Sequence, residues 1–156
     1  WLEYMSVRVA YRAGEPLPKG QYMFVMMPHG LYPFSGACSG LSEMQDTFFN
    51  MRLAVADAGL KVPIIRSLMG WIGCISAKSR SMSRALTGGE SVGIFPGGIA
   101  EMMRTDGLSE KLVLLKRKGF VRAALEHGVS IVPVYVFGQS LAFDHIQLPR
   151  WVERLS

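Results

Sequence analysis

The sequence is poor in cysteine. Its 156 residues include two, Cys38 and Cys74, and their separation matches none of the paired spacings of zinc sites or redox pairs. No metal site is indicated, and zinc domains and dithiol redox proteins are disfavoured as classes. We interpret both residues as small buried thiols of a protein from a reducing compartment.

Long apolar runs are missing as well. No stretch approaches the roughly 20 apolar residues of a membrane-spanning helix, and no charged-then-apolar signal peptide opens the chain. The chain begins at Trp1 without an initiator methionine and stops soon after a helix-like segment at 151–155. We therefore expect residues 1–156 to be a single domain, excerpted from a longer protein whose membrane anchors and C-terminal part lie outside the sequence.

Three common nucleotide-binding and catalytic motifs are also absent. The sequence contains no Walker lysine motif and no Gly-x-Gly-x-x-Gly, so ordinary nucleotide folds gain no support. It contains no Gly-x-Ser-x-Gly turn either. Nothing therefore favours a covalent acyl-enzyme on serine.

Positive charge is concentrated in the middle of the chain. Residues 61–122 carry eleven basic against four acidic residues, a net +7, whereas the segments before and after them each carry −1. This layout predicts an anionic partner, which can be nucleic acid, an acidic membrane surface or the phosphates of a cofactor. The basic residues that can grip phosphates are Lys116, Arg117 and Lys118, helped by Lys78, Arg80, Arg84 and Arg122.

A compact polyphosphate fits this basic run better than nucleic acid does. Proteins that bind single strands interleave several aromatic residues for base stacking. Here the run 116–118 is followed by one aromatic residue, Phe120. A solvated charged face is the alternative interpretation of the run.

Apolar segments separated by glycine-containing turns predict an α/β fold, in which a largely parallel central sheet is flanked by helices. We predict strands at 22–26, 92–95 and 131–137 and helices at 81–86 and 120–127. Gly128 is expected to end the last helix, and Pro133 favours an edge position for the last strand because proline donates no ladder hydrogen bond.

Four further elements are predicted from weaker patterns. A capping box at Ser42 and Gln45, followed by apolar residues at helical spacing, predicts a helix that continues to Gly59. The remaining three are short strands at 62–65, 71–75 and 112–115, and a helix is the alternative for the last of them.

His29 lies in the segment 27–30 (MPHG), directly after the first strand. In open α/β sheets, ligands bind beyond the carboxyl ends of the strands. Proline and glycine flank His29, so the backbone turns where the imidazole emerges. The pattern supports a catalytic base and a hydrogen-bonded loop histidine equally. We interpret His127 as a residue that satisfies helix-terminal carbonyls, and His145 as a surface residue.

Glu101 lies in a second segment of this kind, 96–101 (PGGIAE), which follows the strand at 92–95. A catalytic imidazole needs a partner that holds its tautomer, and Glu101 is the candidate. Gly97 and Gly98 can let a substrate approach the backbone or point amides at a developing oxyanion. The alternatives are a helix-capping carboxylate and glycines that only make a turn.

Four segments in order resemble the type-two diacylglycerol acyltransferase family, which includes monoacylglycerol and wax-ester acyltransferases. They are 27–30 (MPHG), 96–101 (PGGIAE), 115–122 (LKRKGFVR) and 132–138 (VPVYVFG). The resemblance implies a fold like that of the glycerolipid acyltransferases. It also implies an enzyme of the endoplasmic reticulum membrane, at its cytosolic face, or of lipid droplets. Such an enzyme moves a fatty acyl group from acyl-CoA, a co-substrate rather than a bound cofactor, to a neutral lipid hydroxyl.

The resemblance also implies residue roles. His29 matches the catalytic histidine and would act as general base, Glu101 matches the acidic residue that orients it, and residues 117–120 match the family's basic segment. We expect the oxyanion and the substrate to be positioned at Gly30, Gly97 and Gly98. From the charge, and not from the motifs, we expect the acyl-CoA phosphates at Lys78, Arg80, Lys116, Arg117 and Lys118.

Two positions bear on the acceptor. Met27 stands where many members have histidine or glutamate. Phe34 stands where the glycerol-phosphate acyltransferases have aspartate, which favours a neutral acceptor. We expect diacylglycerol, converted to triacylglycerol, with monoacylglycerol or a wax alcohol as alternatives. Two other hypotheses are a non-catalytic acyl-CoA-binding or lipid-binding fragment and, with least support, a nucleic-acid-binding domain.

Overall fold

The structure is a computed structural model that describes residues 3–4, 6–12, 14–30, 32–39, 44–104 and 111–141. Its elements, in chain order, are strand β1 (Tyr22–Met27), helices α1 (Phe34–Ser39) and α2 (Gln45–Phe48), strand β2 (Arg52–Val55), helices α3 (Asp57–Leu60) and α4 (Pro63–Trp71), strand β3 (Ile75–Ser76), helix α5 (Ser79–Thr87), strand β4 (Val92–Ile94), helices α6 (Gly98–Met102) and α7 (Gly119–His127), strand β5 (Ser130–Tyr135) and a 3-10 turn (Gln139–Leu141).

The five strands form one sheet in the order β3-β2-β4-β1-β5, and every pairing is parallel. Strand β1 lies between β4 and β5, with Met23 opposite both Val92 and Ile131. Its continuous apolar run is buried because helices cover the sheet on both faces. The predicted α/β fold with a largely parallel sheet is therefore confirmed.

Alternation along β1 divides the core into two layers. Met23 and Val25 pack with the apolar faces of α5 and α7. Phe24 and Met26 point to the opposite face, where the Phe24 ring meets Phe48 of α2 edge-on at 5.3 Å. Successive side chains of a strand point to opposite faces, so one apolar run supplies both layers.

The carboxyl edge of this sheet gathers the segments that the sequence singled out. Residues 28–30 leave β1 there, and residues 95–98 leave the neighbouring strand β4. Helix α5 begins shortly after β3 ends, and α7 ends shortly before β5 begins. The N-termini of both helices therefore lie at this same edge.

The predictions for β1, β4, β5, α5 and α7 are confirmed within one or two residues. Gly128 ends α7 in the left-handed conformation, at φ 65°. Pro133 lies on β5, an edge strand. His127 holds a helix carbonyl as predicted, since its Nδ1 lies 2.9 Å from the carbonyl oxygen of Ala123. His145 lies outside the described residues.

The predicted helix over residues 42–59 is wrong. After the short α2, the chain turns at Phe49 and Asn50, which both have positive φ, and continues as β2. The helical spacing arises because this turn and strand send the same apolar residues to one core layer. These residues are Met44, Phe48, Met51 and Val55. The predicted capping residue Ser42 lies outside the described residues.

The three short strands predicted from weaker patterns are wrong in whole or in part. Residues 62–65 begin helix α4, because the fixed φ of Pro63 suits the first turn of a helix. Trp71 ends that helix, and Ile75 and Ser76 alone form the strand β3. Residues 112–115 form no strand and lie beside the candidate site instead.

Both cysteines are free thiols. Cys38 is buried, and Cys74 is half-buried. Burial raises the pKa of the Cys74 thiol to about 11. Within the described ranges, no helix is both long enough and apolar enough to cross a membrane.

Candidate active site

His29 occupies a tight turn at the carboxyl end of β1. A cis peptide bond joins Met27 to Pro28, and Gly30 follows in the left-handed region with a φ of 64°. The imidazole is half-buried and meets the ring of Phe95 edge-on, with centroids 5.3 Å apart. The turn thus holds the imidazole against Phe95, a residue of the core.

The carbonyl of Gly30 sets the tautomer of this imidazole. Nδ1 of His29 lies 2.8 Å from the carbonyl oxygen of Gly30. A carbonyl oxygen can only accept, so we assign the ring hydrogen to Nδ1. In the neutral ring Nε2 then carries the lone pair, which is the arrangement that a general base requires.

Glu101 reaches this turn from helix α6. The residue is 3% exposed. Oε1 accepts the backbone N–H of His29 at 2.5 Å, and Oε2 accepts the backbone N–H of Val113 at 3.0 Å. The carboxylate therefore ties the His29 turn to the segment that precedes the basic run.

The predicted pair, His29 and Glu101, is thus adjacent, with a main-chain contact between them. The sequence argument expected the carboxylate to hold the imidazole tautomer, whereas in the structure the Gly30 carbonyl bonds Nδ1. Glu101 fixes the position of the backbone that carries the ring. Its role in orienting the imidazole stays a prediction.

Gly97 leaves the space that Glu101 occupies. A Cβ atom at this position would lie 2.0 Å from Oε2 of Glu101, so any larger residue would displace the carboxylate. Gly98 begins α6 with a φ of 52°. The assignment of Gly30, Gly97 and Gly98 to the oxyanion and the substrate stays a prediction.

Gln139 is a residue of this site that sequence reasoning missed. It follows β5 at the same edge of the sheet and is 5% exposed. Its Nε2 donates to the carbonyl oxygens of Pro28 at 2.5 Å and His29 at 2.9 Å. A glutamine after a glycine carries no motif. Its place just beyond a predicted parallel strand is the signal that could have identified it.

The predicted phosphate-binding residues lie at the N-termini of α5 and α7. Lys116 and Arg117 occupy a turn, and Lys118 directly precedes α7; all three are exposed. Val113, which precedes this turn in the chain, donates a hydrogen bond to Glu101. The turn therefore follows closely on a segment that contacts the His29 site. Their role toward phosphate stays a prediction.

Lys78 and Arg80 flank the start of α5 and are exposed. Lys78 forms an ion pair with Asp57. The hydrogen bond from Lys78, and after it the one from Ser76, lowers the pKa of the Asp57 carboxyl. Any phosphate at Lys78 would therefore compete with a carboxylate.

A half-buried histidine in a turn at the carboxyl edge of a parallel sheet, backed by a buried glutamate, defines this chain as an α/β protein with a candidate acid-base site. The family model described as diacylglycerol acyltransferase matches residues 1–153. The chain belongs to this family, and the predicted family resemblance is confirmed.

The similar proteins are named as three kinds of acyltransferase. Mouse "Acyl-CoA wax alcohol acyltransferase 1" is 35% identical over 136 residues, covering 83% of this chain and 42% of that protein. "Diacylglycerol O-acyltransferase 2" of Dictyostelium discoideum is 31% identical over 141 residues, covering 85% and 42%. Mouse "2-acylglycerol O-acyltransferase 1" is 33% identical over 141 residues, with the same shares.

The chain therefore spans less than half the length of these relatives. No solved structure matches it significantly. A fold like that of the glycerolipid acyltransferases thus stays a prediction.

Proposed function

We propose that the protein is an acyl-CoA-dependent O-acyltransferase that transfers a fatty acyl group to the hydroxyl of a neutral lipid. One observation carries the proposal: the Gly30 carbonyl bonds Nδ1 of His29 and so assigns the lone pair to Nε2. Membership of the diacylglycerol acyltransferase family supplies the reaction class.

In the proposed mechanism, His29 acts directly on the acceptor. Nε2 takes the proton of the acceptor hydroxyl as its oxygen attacks the thioester carbonyl, which forms the new C–O bond. Backbone amides around Gly30, Gly97 and Gly98 stabilise the tetrahedral oxyanion. The C–S bond then breaks, and the departing thiolate takes the proton from the imidazolium. Imidazole is regenerated, and the products are the ester and free CoA.

The phosphates of acyl-CoA are proposed to bind at the N-termini of α5 and α7. Helix N-termini and cationic side chains both favour phosphate. Lys116, Arg117 and Lys118 supply charge at one helix, and Lys78 and Arg80 supply it at the other. Acyl-CoA is water-soluble and the acceptor is not. We therefore place the protein at the cytosolic face of the endoplasmic reticulum membrane or at lipid droplets.

Diacylglycerol is the proposed acceptor. Phe34 begins α1 close to the His29 turn, and an aromatic residue there offers no charge for a phosphorylated acceptor. A long-chain alcohol is the second candidate, because relatives named wax alcohol acyltransferases are 35% and 32% identical to the chain.

The test offers long-chain acyl-CoA and three separate acceptors to the full-length protein: diacylglycerol, monoacylglycerol and a long-chain alcohol. Ester product and free CoA thiol are measured together. We expect equal amounts of both, with diacylglycerol giving the highest kcat/KM. Binding of acyl-CoA without transfer to any acceptor would contradict the proposal and favour a non-catalytic binding protein.

A further inference from the structure

We propose that Gln139 is a positioning residue for His29. Gln139 holds the main chain of the turn so that the imidazole keeps its tautomer. The inference rests on the proposed function in one respect, that the imidazole is the base. The contacts that carry it belong to the fold and are independent of any substrate.

Gln139 uses its full hydrogen-bonding capacity on the turn and on α1. Nε2 donates to the carbonyls of Pro28 and His29, and Oε1 accepts from the backbone N–H of Ser35 at 3.1 Å and from its hydroxyl at 2.5 Å. Carbonyls accept and an N–H donates, so these partners fix which end of the amide is which. The side chain therefore joins β1, α1 and the segment after β5.

The main chain of His29 is held by side chains at both of its polar groups. Glu101 takes the N–H, and Gln139 takes the C=O. Without Gln139, the partly buried carbonyl of His29 would lack this donor, which is unfavourable. The orientation of the His29 carbonyl also determines the position of Gly30. It therefore determines whether the Gly30 carbonyl can reach Nδ1 of His29. Loss of the Gln139 donor would release that bond.

The parallel pairing of β5 with β1 delivers Gln139 to this position. The pairing runs as far as Tyr135 opposite Met27, and the backbone N–H of Val136 donates to the Met27 carbonyl at 2.8 Å. The chain therefore leaves β5 beside the turn that leaves β1. A Cβ on Gly30 would lie 3.0 Å from the carbonyl oxygen of Gln139, so the two segments pack closely.

The test replaces Gln139 by methionine, which keeps the length of the side chain and removes its four hydrogen bonds. The matched control is Gln21→Met. Gln21 also donates Nε2 to two carbonyls, of Leu86 at 2.6 Å and Glu90 at 2.9 Å, but at the amino end of β1. In the full-length protein, we expect Gln139→Met to lower kcat about tenfold to a hundredfold with KM for acyl-CoA within about twofold. Gln21→Met should keep kcat per folded molecule.

A second readout is independent of acyl transfer. The ring ¹⁵N shifts of His29, assigned by difference from His29→Ala at alkaline pH, report which nitrogen carries the hydrogen. We expect the Nδ1–H form in the wild type and in Gln21→Met, and a mixture of tautomers in Gln139→Met. If Gln139→Met fails to fold, Ser35→Ala replaces it, and we expect changes in the same direction but smaller.

Unchanged kcat and tautomer in the folded variant would overturn the inference, as would an equal loss of kcat in Gln21→Met. If the wild type transfers no acyl group at all, the proposed function fails, and the nitrogen shifts still decide the role of Gln139.

Discussion

At the scale of single residues, the site depends on what holds the backbone of His29. Glu101 and Gln139 bind its N–H and C=O, and the Gly30 carbonyl binds its ring. Sequence reasoning singled out His29, Glu101 and the glycines because turns at strand ends can be predicted from sequence. It missed Gln139, because no motif marks this residue and its contact with His29 spans 110 positions of the chain.

Alanine substitutions at two glycines distinguish the effect of backbone strain from the effect of the site's geometry. Gly30 and Gly128 have nearly equal φ, 64° and 65°, but a Cβ on Gly30 meets Gln139 at 3.0 Å, whereas one on Gly128 meets nothing within 4 Å. We expect both alanine variants to lose about 1 kcal/mol of unfolding free energy from strain. Gly30→Ala should lose a further 1–3 kcal/mol or so from overpacking.

The acyl-transfer rate distinguishes these variants more sharply. Gly30→Ala should lower kcat about tenfold or more, since a small displacement of a catalytic group is costly, and Gly128→Ala should leave kcat unchanged. Denaturant unfolding and steady-state kinetics on the full-length protein measure both quantities. Equal stability losses with an unaltered kcat for Gly30→Ala would refute the close packing of the turn.

At the scale of secondary structure, long apolar runs and the glycines that end helices allowed correct predictions, and most short elements did not. Strand β1 and helix α7 carry many consecutive signals, including the Gly128 stop. Of the five described elements between residues 42 and 76, four are only two to four residues long, which is about one helical turn at most, so helical spacing and strand spacing could not be told apart there. Only the tertiary contacts decide such segments.

The N-termini of α5 and α7 carry the proposed phosphate contacts. The double variant Lys116→Ala with Arg117→Ala should raise KM for acyl-CoA about tenfold, since each exposed cation–phosphate contact is worth up to about 1 kcal/mol. Its kcat should be little changed. The control is Arg84, which the charge pattern grouped with the phosphate-binding residues. The structure places this exposed arginine in the last turn of α5, away from the N-terminus of the helix.

The effect of the double variant on KM should also depend on the salt concentration. The rise in KM should shrink at high ionic strength, where charges at the surface are screened. Arg84→Ala should leave KM within about twofold. If Arg84→Ala raises KM as much as the double variant does, the contribution is general positive charge and no phosphate site lies at these helix ends.

At the scale of the whole molecule, the parallel sheet brings together residues that are distant in sequence. His29 and Glu101 are 72 positions apart, yet both lie at the carboxyl edge because neighbouring strands β1 and β4 end there. The same edge receives N-termini from the segment of net charge +7. One architecture thus places the proposed base, the carboxylate that binds its main chain and helix ends from a basic segment at one edge of the sheet.

The most direct measurement compares kcat for acyl transfer in His29→Gln and His127→Gln, both made in the full-length protein. His127 is a matched control, because its Nδ1 also bonds a backbone carbonyl, Ala123, and its Nε2 bonds the Ser83 hydroxyl. We predict that His29→Gln lowers kcat about a hundredfold to ten-thousandfold, and that His127→Gln keeps it within about threefold. A His29→Gln variant no less active than His127→Gln would contradict the assignment of His29 as the general base.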